Sequence, residues 1–132
     1  MEKILVKTRS RTEMLDVTSE VAEAVSEAGI DEGVCVVYCP HTTAGLIINE
    51  HADPSVAEDI MSALSGQYPH RGAWRHMEGN ADAHTKAAVL GNSVTIPVSG
   101  GRLMLGAWQG IFFCECDGPR SRELYLQTVS GK

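Results

Sequence analysis

Cys39-Pro-His-Thr-Thr-Ala-Gly-Leu-Ile-Ile-Asn-Glu-His-Ala-Asp-Pro-Ser, residues 39 to 55, is the stretch from which the rest of the chain is read. An apolar run from Gly33 to Cys39 leads into His41, Thr42 and Thr43. A second, Ala44 to Ile48, ends in Asn49, Glu50, His51 and Asp53. The segments 33–40 and 43–50 are rich in Val, Ile and Leu, which predicts strands buried on both faces. Asp53-Pro54 then supplies an N-cap and a proline at the first helical position, where its missing N–H costs nothing. Val56, Ile60 and Leu64, with Ala57 and Met61, form one apolar stripe, and Gly66 is the expected stop. Polar groups of chemical use, gathered at strand ends, read as a site on a rigid scaffold.

Upstream, residues 3–11 alternate weakly and end in Lys7, Arg9 and Arg11, whose odd spacing puts them on one strand face. Thr18 is the expected cap of a helix with Val21, Val25 and Ala28 inward and Gly29 as its close. Downstream, 67–80 has no period, contains Pro69, Gly72 and Gly79, and reads as a long loop, often a functional feature in a compact domain. A short helix is expected over 82–90. The remainder alternates as strands: Val94, Ile96 and Val98; Leu103 and Leu105; Ile111, Phe113 and Glu115; Leu124, Leu126 and Thr128. Gly100-Gly101 is the turn between the first two.

The 132 residues fit one domain, 1–132. Eleven basic and seventeen acidic residues leave a net charge of −6, which argues against nonspecific nucleic-acid binding, since neutralising phosphates needs a cationic face. No apolar run approaches the ~20 residues of a membrane helix, and Met1-Glu-Lys begins no signal peptide. The expected location is cytoplasmic. Cys35, Cys39, Cys114 and Cys116 lie in apolar runs, so reduced buried thiols are expected. Four strand steps would hold Cys35 and Cys39 ~13 Å apart, too far to share one zinc.

His41, His76 and His84 are the candidate metal ligands. His84 falls in the first turn of its expected helix, where the dipole favours a neutral ring, the form that ligates or acts as base. Three neutral imidazoles leave a divalent ion an open position; separate histidines with ordinary hydrogen bonds are the alternative. Asp53 is explained by capping, whereas Glu50 has no comparable structural role and is the better candidate base or ligand. Glu115 shares a face with Ile111 and Phe113, so it requires an arginine or histidine partner if that face is core. Arg120 and Arg122, after the turn at Asp117-Gly-Pro, are candidates to receive a phosphate or carboxylate, or are ordinary surface arginines.

His41-Thr-Thr-Ala-Gly-Leu, Asn49-Glu50, Asp53-Pro54, Glu78-Gly79, Ala83-His84-Thr-Lys86, Gly101-Arg102 and Gly106-Ala-Trp108-Gln109-Gly110-Ile occur in that order. Together they closely resemble the YjbQ family, also called the secondary thiamine-phosphate synthase-type family, over nearly the whole chain. The resemblance implies an α+β fold with antiparallel sheet packed against two to three helices, and a homotrimer with sites near subunit contacts. It implies that His41, His76 and His84 are the recurrent histidines, with Glu50, Gln109 and Glu115 as the other polar site positions. Thr42 and Asn49 join Arg120 and Arg122 as expected contacts to a small phosphorylated substrate. The implied activity joins an aminopyrimidine diphosphate to a thiazole phosphate with loss of diphosphate, assisted by a divalent ion, zinc or magnesium. The absence of an activated nucleophile keeps a non-catalytic trimeric module for a metal or phosphorylated metabolite open beside it. A hydrolase using metal-bound hydroxide is the third expectation.

Overall fold

The computed structural model describes residues 1–131. In chain order it contains β1 (Glu2–Lys7), β2 (Glu13–Asp16), α1 (Thr18–Ala28), β3 (Gly33–Tyr38), β4 (Ala44–Glu50), α2 (Pro54–Gln67), α3 (Ala81–Leu90), β5 (Ser93–Ser99), β6 (Arg102–Leu103), β7 (Gln109–Glu115) and β8 (Ser121–Ser130). The strands form two antiparallel sheets, in the orders β1-β8-β3-β5-β6 and β2-β7-β4. The architecture is α+β, as the resemblance implied.

Alternation along β7 explains the layering. Ile111 and Phe113 point one way and join Leu46, Val37, Ile96, Leu124 and Leu126 in the main core, to which α1 adds Val21 and Val25. Phe112 and Cys114 point the other way and pack with Met61, Met14, Ile47, Ala57 and Leu90. The small sheet is therefore covered on both faces, which is why the 43–50 run lacks a polar period. Segment 33–40 departs from the same expectation. Cys35 and Val37 are buried, but Val34 and Val36 are only half-buried and Tyr38 is exposed, so the strand buries one face fully and the other only in part.

Helix ends follow local chemistry. Asp53 caps α2 by accepting from the Ser55 N–H at 2.9 Å, with Pro54 in the first turn, as expected. Gly66 does not stop α2, which runs on to Gln67. At α1 the capping role belongs to Asp16, whose Oδ1 accepts from the Thr18 N–H at 3.0 Å; Thr18 is itself helical and donates its hydroxyl to the same oxygen. Gly29 closes α1 in the left-handed region, φ 70°. α3 starts at Ala81 and lies hard against β4: a Cβ on Gly45 would sit 2.6 Å from the Gly91 carbonyl oxygen, so only glycine permits this approach.

Arg11 does not share a strand face with Lys7, because β1 ends at Lys7. It reaches α3, where Arg11 Nη2 and Lys86 Nζ lie 3.0 and 2.9 Å from the two oxygens of the fully buried Asp82. All four cysteines are free and buried, and burial pushes the thiols of Cys35 and Cys116 up to about 11, so neither is a thiolate at neutral pH. Among the described residues no helix is long and apolar enough to cross a membrane.

Burial alone would raise the Asp82 pKa, but donation from Arg11 and Lys86 outweighs it and draws the carboxyl down to about 2. Stability from this trio is therefore complete above the ordinary aspartate range and is lost as pH falls towards 2. Urea denaturation of the wild type should show a loss of roughly 2 kcal/mol between pH 5 and pH 2.5 beyond that of Asp82→Asn. Equal acid sensitivity of the two proteins would contradict this assignment.

Candidate functional site

β3 stops pairing with β8 at Tyr38–Tyr125, so the backbone of Glu123 faces the place where a continuing strand would lie. The chain turns away at Pro40 and the His41 ring fills that place, with Nε2 3.0 Å from both the Glu123 N–H nitrogen and carbonyl oxygen. A histidine capping a strand edge in this way has a fixed ring plane. Burial lowers its pKa first and the nearby Arg122 lowers it further, against smaller opposing contributions from Glu123 and Glu115. His41 is thus a neutral imidazole at neutral pH.

Around it lies a cleft of about 340 Å³, lined by residues that are far apart in sequence. Thr42 and Thr43 come from the turn before β4, Glu78 and Asn80 from the 67–80 loop, His84 from α3, and Asp117, Arg120 and Arg122 from the β7–β8 turn and its exit. Asn80 immediately precedes α3 without a side-chain capping bond. Its Nδ2 donates to Asp117 Oδ2 at 2.8 Å, while its buried Oδ1 has no partner among the described residues. An unsatisfied buried acceptor costs ~1–3 kcal/mol, so a donor at this position would be favoured.

The two arginines have different roles. Arg122 is buried and grips Glu115 through Nε and Nη2, with a second Nη2 bond to Thr43 Oγ1 at 2.9 Å. Glu115 also accepts from the Thr8 hydroxyl at 2.8 Å and the Asp117 N–H at 3.1 Å. Burial raises the Glu115 pKa, yet these donors outweigh it and hold the carboxyl below its ordinary value. Glu115 has the arginine partner its position demanded, and with both oxygens engaged it serves as a buried counter-ion. Arg120 is half-exposed; its Nη2 lies 2.9 Å from Asp117 Oδ2 and its Nε donates to the Asp117 carbonyl at 2.8 Å.

The other expected site residues lie elsewhere. Ala44 pairs with Glu115 at one end of the small sheet, and Glu50 pairs with Gln109 at the other, six strand steps or ~20 Å away. There Glu50 accepts from the Asp53 N–H at 3.1 Å, Gln109 Oε1 from the Gly106 N–H at 2.8 Å, and exposed Asn49 from the Glu50 N–H at 2.7 Å. Within the chain, Glu50, Gln109 and Asn49 do not share a cleft with His41.

His76 and His84 are adjacent, with ring centroids 5.1 Å apart in an edge-on arrangement, and His84 also lines the cleft beside His41. Among the described residues no group of three or more His, Cys, Asp or Glu side chains is close enough to hold an ion. One chain therefore offers the His76–His84 pair, while His41 has one ring nitrogen committed to Glu123. Two imidazoles fall short of the three protein ligands of a catalytic zinc.

Sequence reasoning missed Asn80 and Asp117 in this wall. A Gly-Asn step before a helix signals a cap, but nothing in the sequence signals a cap whose side chain turns to Asp117 instead.

The family model described as UPF0047 protein YjbQ-like matches residues 2–131. A UPF0047 protein of Methanocaldococcus jannaschii is 48% identical over 130 residues, covering 98% of this chain and 94% of that protein. UPF0047 protein YugU of Bacillus subtilis is 48% identical over 134 residues, covering 98% of each. The crystal structure of an uncharacterized conserved YjbQ/UPF0047-family protein from Clostridium acetobutylicum superposes with a TM-score of 0.96 at 44% identity, covering 98% of this chain and 100% of that one.

Because its folded-state pKa is lowered, His41 contributes stability that is complete above the ordinary histidine value and is lost as pH falls below it. An NMR titration should place the His41 ring below 6.5, the ordinary value for histidine. A midpoint at or above 6.5 would show that the ring is not held neutral by burial and Arg122.

Proposed function

This chain belongs to the YjbQ-like UPF0047 family, and on that premise we propose that the His41 cleft binds a small phosphorylated metabolite and carries a transferase reaction of the thiamine-phosphate synthase type. In that reaction a thiazole nitrogen bonds to the methylene carbon of an aminopyrimidine diphosphate, and diphosphate leaves with the electron pair of the broken C–O bond. The supporting observation is the unpartnered Asn80 Oδ1 in the same wall as His41, Thr42, His84 and Arg120. In this reading the Asn80 side chain turns so that its amide oxygen accepts from an exocyclic amino group, beside an arginine able to exchange Asp117 for an oxyanion. Arg122 is committed to Glu115 and acts on the ligand only through the position of Thr43 and the cleft floor. His41, neutral and fixed in plane, is placed to exchange a proton or hydrogen bond with the bound ring.

Size limits the reading. A cleft of about 340 Å³ lies near the lower end of ligand sites, which run from ~300 to ~1,000 Å³, and holds one phosphorylated ring better than two. A second substrate therefore requires a wall from another copy, which accords with a homotrimer. The same holds for a divalent ion, zinc or magnesium: His76 and His84 would need a donor from a neighbouring subunit, and no step above depends on it. A non-catalytic module remains the second reading, because Glu115 is neutralised by Arg122 and Glu50 stands at the far end of the sheet, so neither serves this cleft as a free base.

Calorimetry and a turnover assay with the aminopyrimidine diphosphate and thiazole phosphate test both. Transferase action predicts thiamine phosphate and diphosphate in equal amounts, with kcat/KM reduced roughly 10- to 100-fold in Arg120→Ala and His84→Ala. Saturable binding without product would establish the module, and no binding of either compound would overturn both. Metal analysis of the wild type against His84→Ala tests the ion separately: bound zinc or magnesium should fall in the variant, and equal content would remove His84 as a ligand.

A further inference from the structure

Between β2 and α2, on the helix-covered face of the small sheet, lies a cleft of about 610 Å³ that shares no lining residue with the His41 cleft. Its apolar surface comes from Met14, Ala57, Met61 and Phe112, a ring and two thioethers that adapt to a ligand's shape. Its rim carries four carboxylates, of which Glu13 already accepts from the Arg9 and Ser10 N–H groups, Asp16 from Thr18 and Asp53 from Ser55, while exposed Glu58 is not engaged; no lysine or arginine is among the described residues lining it.

At one end stands a His–Asp pair. His51 Nδ1 lies 2.8 Å from Asp16 Oδ2; a carboxylate only accepts, so Nδ1 is the donor, and Nε2 has no hydrogen-bond partner among the described residues. Asp16 is fixed in turn by the Thr18 N–H and hydroxyl at the start of α1. The ring is seated directly on Gly110, where an added Cβ would fall 2.4 Å from Nδ1 and 2.5 Å from Cγ. The His51 N–H is bonded to the Trp108 carbonyl at 3.0 Å, which anchors the backbone as well. An imidazole held by a carboxylate on one side and a glycine underneath is preorganised, although nothing in the fold requires its second nitrogen.

We propose that this cleft is a second small-molecule site, which takes a protonated primary amine with an aromatic or branched apolar body. The body lies on Phe112, Met14 and Met61, the ammonium sits at the carboxylate rim, and His51 Nε2 accepts one of its protons. Charge decides the class: a phosphate or carboxylate would face four like charges without a cationic partner, whereas an ammonium meets only acceptors. The volume lies within the range of small-molecule sites. None of this rests on the reading of the His41 cleft.

Methyl NMR of methionine-labelled protein tests it, with benzylamine as the cationic probe and benzoate as the anionic probe of the same shape. Benzylammonium should shift the Met14 and Met61 signals saturably in the low-millimolar range and leave exposed Met1, Met77 and Met104 in place, while benzoate moves none of them. Ser62→Trp, on the exposed wall of the cleft, should abolish the response. Glu58→Lys, on the exposed rim, should weaken benzylammonium at least fivefold, and His51→Gln about tenfold. Glu58→Lys should keep the wild-type melting curve; His51→Gln also loses the Asp16 bond and the packing on Gly110, so it is scored on folded protein whose Met1, Met77 and Met104 signals match the wild type. Equal responses to the two probes, shifts confined to the exposed methionines, or no saturable shift would overturn the proposal.

Discussion

The buried Glu115–Arg122 pair is the interaction on which the rest of the arrangement depends. Glu115 ends β7 in the small sheet and Arg122 is the second residue of β8 in the large one, so the bond fastens the two layers at the edge of the core. Thr8, just beyond β1, donates its hydroxyl to Glu115 and accepts from the Arg120 N–H, while Arg122 donates to the Thr43 hydroxyl. Four chain segments therefore meet at one ion pair. Its charges are both desolvated, which makes the intact pair a modest source of net stability, yet leaving either partner alone costs ~3–5 kcal/mol. Such a pair fixes geometry more than it adds stability.

That geometry divides the chemistry of the chain. Holding Thr43 and the β7–β8 turn together sets the floor of the His41 cleft and leaves Arg120 and Asn80 at its wall. The His51 cleft, behind the small sheet, is anionic and rests on apolar side chains. The His41 cleft is lined by both arginines and carboxylates and the His51 cleft by carboxylates without lysine or arginine among the described residues, although the chain as a whole carries −6. Net charge describes the whole molecule, whereas local pairing decides what each surface accepts.

Much of the architecture was legible because it is carried by local patterns. The 54–67 helix announced itself through Asp53-Pro54 and its apolar stripe, and Gly29 and Gly100-Gly101 marked ends and turns that the backbone adopts at positive φ. Period-2 counting also placed Glu115 among Ile111 and Phe113, from which the need for a cationic partner followed. What the sequence did not convey was distance. Glu50 and Glu115 look equally available as carboxylates, yet they occupy opposite ends of one strand pair, because β4 and β7 run antiparallel in full register. His51 and Asp16 are 35 residues apart in different strand environments, and no local motif brings them together. Capping was likewise misassigned at Thr18, which lies inside α1 and whose own N–H is taken by the acidic residue two positions earlier.

The central claim, that Glu115 and Arg122 act as one structural unit and not as independent site residues, is tested most directly by a double-mutant cycle in urea with Glu115→Leu, Arg122→Met and the two combined. The account predicts that each single change destabilises by ~3–5 kcal/mol and that the double variant is more stable than either, with a coupling of several kcal/mol. Additive losses, with a coupling near zero, would contradict it.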